Sequence, residues 1–188
     1  AGHQETTPDA FAMVLCHEIG HHLGGAPKVG GFMQKWASNE GQSDYYAGLK
    51  CLRIAFENDD NEEIVSKMQI PEFVVNKCSA SYAARGEQAM CQRISMAGLA
   101  LAKLLASLRS SPTPQFDSPD RAIVDKTDDA HPAHQCRLDT YFQGSLCEVS
   151  FNEDVDIEKM KDEVKGTCHG SLGFKSGLRP LCWFKPRN

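Results

Sequence analysis

The sequence lacks a long hydrophobic run, a basic segment, an internal repeat and a low-complexity stretch. The most apolar segment, 94–108, is shorter than the roughly 18 to 20 residues of a membrane-spanning helix and is interrupted by Lys103, so we expect no membrane span. The net charge is −5 with both signs interspersed, which argues against a nucleic-acid partner. A chain of 188 residues that is 41% hydrophobic is expected to form one domain, 1–188, around a buried core.

The eight cysteines include no CxxC pair, the spacing typical of zinc ribbons and redox motifs. An even number of dispersed cysteines favours disulfides and a secreted or periplasmic protein, whereas free buried thiols in a cytosolic protein are the alternative. Cys16 adjoins the most informative motif of the chain, and we expect it in the core rather than on a metal.

Geometry limits how the cysteines can pair. If 132–146 is one helix, Cys136 and Cys147 are separated by about 16 Å of rise and cannot form a disulfide. A turn near 85–86 would bring Cys78 to Cys91. In the glycine-rich tail, we expect Cys168 to pair with Cys182.

One short pattern carries specific chemistry, the HExxH arrangement of His17-Glu18-Ile19-Gly20-His21. Residues at i and i+4 lie on the same face of a helix, so both imidazoles can bind a single tetrahedral Zn²⁺. Glu18 is then close to the metal without being a ligand and is free to take a proton from a metal-bound water. The pattern predicts metal-dependent hydrolysis of a peptide or similar amide.

The flanking residues predict a helix that carries this motif. The segment 6–9 (Thr-Thr-Pro-Asp) is typical of a helix start, with a threonine N-cap and proline in the first turn, and Gly24-Gly25 can end the helix. Four apolar residues recur at spacings of about three and four, which predicts that they form the buried side of the helix: Phe11, Val14, Leu15 and Ile19.

A candidate for the third metal ligand lies downstream of the HExxH motif. A metzincin would have a third histidine at position 27, but Pro27 occupies it and cannot bind a metal. Glu40 follows His21 by nineteen residues on a second helix predicted over 36–56, which allows an antiparallel return towards the histidines. Asp44 lies one turn further on the same face, where it can accept a hydrogen bond from a ligand imidazole.

The combination of HExxH with Glu40 and Asp44 resembles the gluzincin zinc peptidases, the thermolysin-like and HtpX-like families with HExxH followed by ExxxD. The resemblance covers 7–57 well and 125–147 loosely. It implies that His17, His21 and Glu40 are zinc ligands, that Glu18 is the general base, and that Asp44 orients a ligand. Polypeptide is then the implied substrate.

The segment 128–137 adds a weaker similarity to the HtpX-like families, which have an HP pair followed by an arginine. By that similarity, His131 or Arg137 would stabilise the oxyanion of the tetrahedral intermediate. The alternative is that His131-Pro132 only begins a helix running through Arg137 to Phe142.

The predicted fold is mainly α, with a zincin-like helical catalytic core over 7–147 and an irregular, disulfide-pinned tail over 148–188. Gluzincins place a small sheet before the motif helix; this chain has no room for one, so we expect the upstream sheet, or a propeptide, to be missing from it. The predicted function is a zinc metalloendopeptidase. Two alternatives remain, a non-catalytic zinc-stabilised interaction domain and a zinc hydrolase of a cell-wall amide.

Overall fold

The computed structural model describes residues 6–30, 35–157 and 162–187. Over these ranges the chain is mainly helical, as predicted, and its α-helices are α1 Pro8–Leu23, α2 Glu40–Tyr46, α3 Leu52–Phe56, α4 Asn61–Ser66, α5 Glu72–Ser81, α6 Arg85–Leu108 and α7 His134–Leu146. A π-helical turn, Ala47–Cys51, joins α2 to α3, and a 3₁₀ turn forms at Gly170–Leu172. Two short antiparallel strands, β1 (Lys28–Val29) and β2 (Ala37–Ser38), lie between α1 and α2.

The ends of α1 follow from its sequence. The Thr7 hydroxyl accepts a hydrogen bond from the Ala10 amide at 3.0 Å, which confirms a threonine N-cap. The Arg93 guanidinium of α6 binds the Asp9 carboxylate at 2.8 Å and so fixes the first turn. The helix ends at Gly24, and Gly25 follows with φ +78°, the left-handed conformation that glycine adopts most readily.

The predicted buried side of α1 is wrong. Phe11, Leu15 and Ile19 are 61%, 49% and 42% exposed, and Val14 is only partly buried. The side that packs inward instead carries mainly small or flexible residues: Ala10, Met13, Cys16, His17 and Gly20. Small residues allow neighbouring helices to approach closely, and a Cβ on Gly20 would lie 2.9 Å from the Ser43 Cα atom of α2. Close packing of α1 on α2 therefore sets the rotation of α1.

The second helix also differs from its prediction at both the start and the middle. The segment 36–38, predicted as helix, is extended and ends in β2, and the Asn39 side chain caps α2 by accepting from the Gln42 amide at 2.9 Å. The π turn interrupts the middle of the predicted helix. There, Gly48 and Gly144 of α7 let the two backbones meet, since a Cβ on Gly48 would lie 2.7 Å from the Tyr141 carbonyl oxygen.

The long helix α6 forms the centre of the core and packs against α1, α3, α4, α5 and α7. By length and composition alone it could cross a membrane, because the mean hydropathy of its most apolar window is 1.2. However, 61% of that window is buried inside the fold, as in the core helix of a compact domain. Length and hydropathy alone do not decide between a core helix and a membrane span, so the expected absence of a membrane span stays a prediction.

Four disulfides pair all eight cysteines: Cys16–Cys51, Cys78–Cys91, Cys136–Cys182 and Cys147–Cys168. The predicted Cys78–Cys91 bond is confirmed, whereas the prediction that Cys168 pairs with Cys182 is wrong. Within the described residues, no cysteine is left as a free thiol. Cys168 and Cys182 pair instead with the two ends of α7. Such a set of disulfides indicates an oxidising, extracytoplasmic environment.

The irregular tail is held on the helices by these disulfides and by a buried tryptophan. Trp183 is fully buried and donates a hydrogen bond from its indole N–H to the Thr140 hydroxyl of α7 at 3.0 Å. Gly41 of α2 leaves the space for this ring, because a Cβ there would lie 2.2 Å from it. The tail therefore supports the side of α2 and α7 away from α1, and so helps to hold the first residues of α2 in place.

Candidate metal centre

Three potential metal ligands converge where α1 meets the start of α2. The His17 Nε2 atom lies 3.2 Å from Glu40 Oε2, and the His21 Nε2 atom lies 3.8 Å from Glu40 Oε1. The ligand atoms of these three residues all lie within 4.8 Å of one another. His17 is buried and the other two are partly exposed, so the group is accessible from solvent on the side of His21 and Glu40.

The start of α2 is positioned by residues before and within it. The Asn39 side chain donates to the Asp128 carbonyl at 3.1 Å and to the Asp129 carboxylate at 3.0 Å, which connects α2 to the segment before α7. Together with the close contact between Gly20 and Ser43, this fixes the distance from Glu40 to α1.

Each histidine is oriented by the ring nitrogen that faces away from the convergence point. His17 Nδ1 lies 2.7 Å from Asp44 Oδ1, and His21 Nδ1 lies 2.8 Å from the Ser38 carbonyl oxygen and 3.0 Å from the Ser43 hydroxyl. Donation from Nδ1–H to these acceptors leaves the Nε2 lone pairs directed at the centre. This is the arrangement that supports histidine ligands in metal sites.

Asp44 is itself held by Arg137. The guanidinium donates two hydrogen bonds to the Asp44 carboxylate, at 2.8 Å from Nε and 2.7 Å from Nη2, and a third to the Tyr141 hydroxyl at 2.9 Å. Asp44 is fully buried and Arg137 nearly so. The resulting hydrogen-bonded series, called the Arg137–Asp44–His17 chain, connects α7 to the metal-facing imidazole.

The electrostatics of the group favour a bound cation. Burial opposes protonation of His17, but Asp44 and Glu40 outweigh it and raise the pKa of His17 to about 9. Burial likewise opposes ionisation of Asp44 and Glu40. Arg137 and His17 nevertheless lower the pKa of Asp44, and the imidazoles of His17, His131 and His21 lower the pKa of Glu40. At neutral pH, the carboxylates of Asp44 and Glu40 thus compensate the Arg137 guanidinium and a proton on His17, and a metal ion would take the place of that proton.

The residues fit a tetrahedral zinc ion. With zinc–ligand distances of about 2.0 to 2.1 Å, tetrahedral ligands are about 3.3 to 3.4 Å apart, close to the observed separations of 3.2 and 3.8 Å. Moreover, Glu40 Oε2 is buried and has no hydrogen-bond partner, although an imidazole lies on either side of it. A buried carboxylate oxygen is costly unless it faces a cation, and a protonated His17 or a metal ion would supply that charge.

Other predicted site residues border this centre. His131 is 67% exposed at its side chain, and its Nε2 atom lies 3.1 Å from Glu40 Oε2. It does not cap a helix: α7 begins at His134, two residues later than predicted, and its N-cap is Ala133. Glu18 is exposed on α1 beside His17. The guanidinium of Arg137, in contrast, is occupied by Asp44.

A second group of potential ligands, Asp120, Cys136 and Cys182, carries no metal chemistry. Both cysteines are joined in a disulfide and so offer no thiolate. Among the described residues, the group formed by His17, His21 and Glu40 is therefore the better candidate for a metal centre.

Several residues that build the centre were not found from the sequence. Asn39 caps α2 and Ser43 hydrogen-bonds to His21. Their closeness to Glu40 in the sequence was the signal that could have identified them. The Ser38 carbonyl and Tyr141 have no sequence signal, because a backbone acceptor and a distant tyrosine become relevant only once the fold is known.

A scan against protein-family models, and comparisons with curated proteins and with solved structures, find no significant match to this chain.

Proposed function

We propose that this protein is a zinc-dependent endopeptidase of the gluzincin type. The observation that carries the proposal is the convergence of His17, His21 and Glu40, with Glu18 exposed at the position of α1 that follows His17. A structural zinc site fills all four positions with protein ligands. His131, the nearest further candidate, does not belong to the group of mutually close ligand atoms. Three ligands and a free carboxylate favour catalysis over a structural role.

Zinc bound there would polarise the scissile carbonyl and lower the pKa of a bound water towards 7. Glu18 accepts the proton of the attacking water and returns it to the leaving amine. Asp44 keeps His17 in the tautomer that presents Nε2, and Arg137 holds Asp44 in place. Arg137 is thus a positioning residue in this proposal, rather than an oxyanion donor.

His131 is the better candidate for stabilising the developing oxyanion. Its imidazole is exposed and its Nε2 atom reaches the edge of the ligand group, beside Glu40. A donor in this position can act on charge that develops on the substrate carbonyl. We expect His131→Ala to lower kcat about a hundredfold with KM nearly unchanged, since this hydrogen bond forms mainly in the transition state. A variant with unchanged kcat would remove His131 from the mechanism.

The ligand set is tested by zinc analysis of purified variants. His17→Ala, His21→Ala and Glu40→Ala should each lose zinc, whereas His22→Ala, which changes an exposed histidine on the same helix, should keep about one equivalent. Zinc retained in full by any of the first three variants would exclude that residue as a ligand.

The catalytic assignment is tested by Glu18→Gln, which removes the base without touching a ligand. We expect zinc content and fold to be preserved and casein hydrolysis to fall by several orders of magnitude. Glu87→Gln, at an exposed glutamate of α6, is the matched control and should behave as wild type. Equal hydrolysis by wild type and Glu18→Gln would end the peptidase proposal.

A further inference from the structure

A concave site lies on the other side of α7 from the metal centre. It is a groove of about 890 Å³ bounded by α5, α7, the segment 116–123 and the tail. At 100° per residue, Phe142 and Leu146 project from the side of α7 opposite to Arg137, so the groove and the metal centre are separate. Its volume lies within the range of about 300 to 1,000 Å³ of small-molecule sites. We call this site the basic groove.

The floor of the basic groove is apolar. Phe142 and Leu146 of α7 and Phe184 of the tail are buried beneath it, and Phe116 closes one side. Ile123, 70% exposed, extends this apolar surface to the rim. A hydrocarbon chain placed here would remove apolar surface from water on both the ligand and the protein.

The rim of the basic groove carries unpaired positive charge. Five of its lining residues are lysine or arginine and two are aspartate, but Arg179 is buried and Arg187 pairs with Glu163. Among the described residues, Lys77, Arg121 and Lys175 make no ion pair, and all three are exposed. Like charges gathered around an apolar cavity repel one another, and a bound anion relieves that repulsion.

We propose that the basic groove binds a single-chain anionic amphiphile of the fatty-carboxylate class, with its chain on the apolar floor and its carboxylate among Lys77, Arg121 and Lys175. The charge and the apolar floor together select this ligand over a neutral or cationic one. A volume of about 890 Å³ lies within the range of small-molecule sites, which favours a small amphiphile over an acidic peptide.

The test is calorimetric titration of the full chain with dodecanoate below its critical micelle concentration. We expect saturable binding with one site, equal for the zinc-loaded and zinc-free protein, and about fourfold weaker for each methylene removed from the chain. Dodecyltrimethylammonium, with the same chain and the opposite charge, should bind at least tenfold more weakly. The absence of saturable dodecanoate binding, or equal affinity for the two amphiphiles, would overturn the proposal.

Variants connect this binding to the groove. Lys77→Glu with Lys175→Glu should weaken dodecanoate binding at least tenfold, while Lys126→Glu with Lys165→Glu, an equal charge change at exposed positions outside the groove, should have less than a threefold effect. Ile123→Asp alters only an exposed side chain and should also weaken binding. Equal effects of the two double variants would contradict the assignment, as would saturable binding of polyglutamate at the groove without binding of dodecanoate.

Discussion

Replacing Asp44 by asparagine removes the charge at the middle of the Arg137–Asp44–His17 chain and keeps the size of the side chain. Asp44 is fully buried and makes three contacts of 2.7 to 2.8 Å, one with His17 and two with Arg137. Loss of an outer-shell partner of a metal-binding histidine typically weakens metal binding by about 10- to 100-fold, or about 1.4 to 2.7 kcal/mol. The buried Arg137 charge would also lose its counter-ion, at a cost of about 3 kcal/mol or more in the free energy of unfolding.

Both quantities can be measured on one preparation. Zinc affinity is obtained by competition with a chelator at a temperature at which circular dichroism shows the variant to be folded, and stability is obtained by urea unfolding of the zinc-free protein. Asp139→Asn is the matched control, because Asp139 of α7 is also a buried aspartate, lines the basic groove rather than the metal centre, and has a pKa that burial raises to about 6. If folded Asp44→Asn binds zinc within twofold of wild type, Asp44 does not orient a ligand.

Two further predictions concern the same centre. The pKa of His17 is raised from 6.5 to about 9, so protonated His17 stabilises the zinc-free fold. This contribution, about 3 kcal/mol, is fully present below pH 6.5 and is lost as the pH rises through 9. Urea unfolding between pH 6.5 and 9.5 should show the loss in wild type and not in His17→Gln. Gly20→Ala should lower zinc affinity at least tenfold, because its Cβ would lie 2.9 Å from the Ser43 backbone and push α2 from α1, whereas Gly86→Ala, with no atom closer than 4.0 Å, should leave it unchanged. A pH-independent difference between wild type and His17→Gln, or unaltered zinc affinity in Gly20→Ala, would count against the respective argument.

The parts of the fold that depend on local sequence were predictable. The Thr7 cap and the glycines that end α1 are set within one or two turns of helix, where residue spacing maps directly onto geometry. The Cys78–Cys91 pairing was predictable for the same reason, since a short turn joins its two helices.

The features decided by packing between distant segments could not be predicted. The buried side of α1 was predicted from its larger apolar residues, but its smaller residues pack inward because α2 approaches closely at Gly20. Likewise, Cys168 and Cys182 lie in the same tail but bond to different ends of α7. Cys182, next to the buried Trp183, pairs with Cys136 near the start of that helix, and Cys168 pairs with Cys147 at its end. The guanidinium of Arg137 binds Asp44, because a fully buried carboxylate requires a counter-ion. This pairing also depends on contact between distant segments, α2 and α7.

The central claim is that His17, His21 and Glu40 hold zinc and leave one position open. X-ray absorption at the zinc edge of the loaded wild-type protein tests it most directly, because it counts imidazole ligands and detects sulfur. We predict two imidazoles and oxygen ligands at about 2.0 to 2.2 Å, with no sulfur, and an unchanged spectrum in His131→Ala. Three imidazoles in wild type, reduced to two in His131→Ala, would make His131 a fourth protein ligand and contradict an open catalytic position.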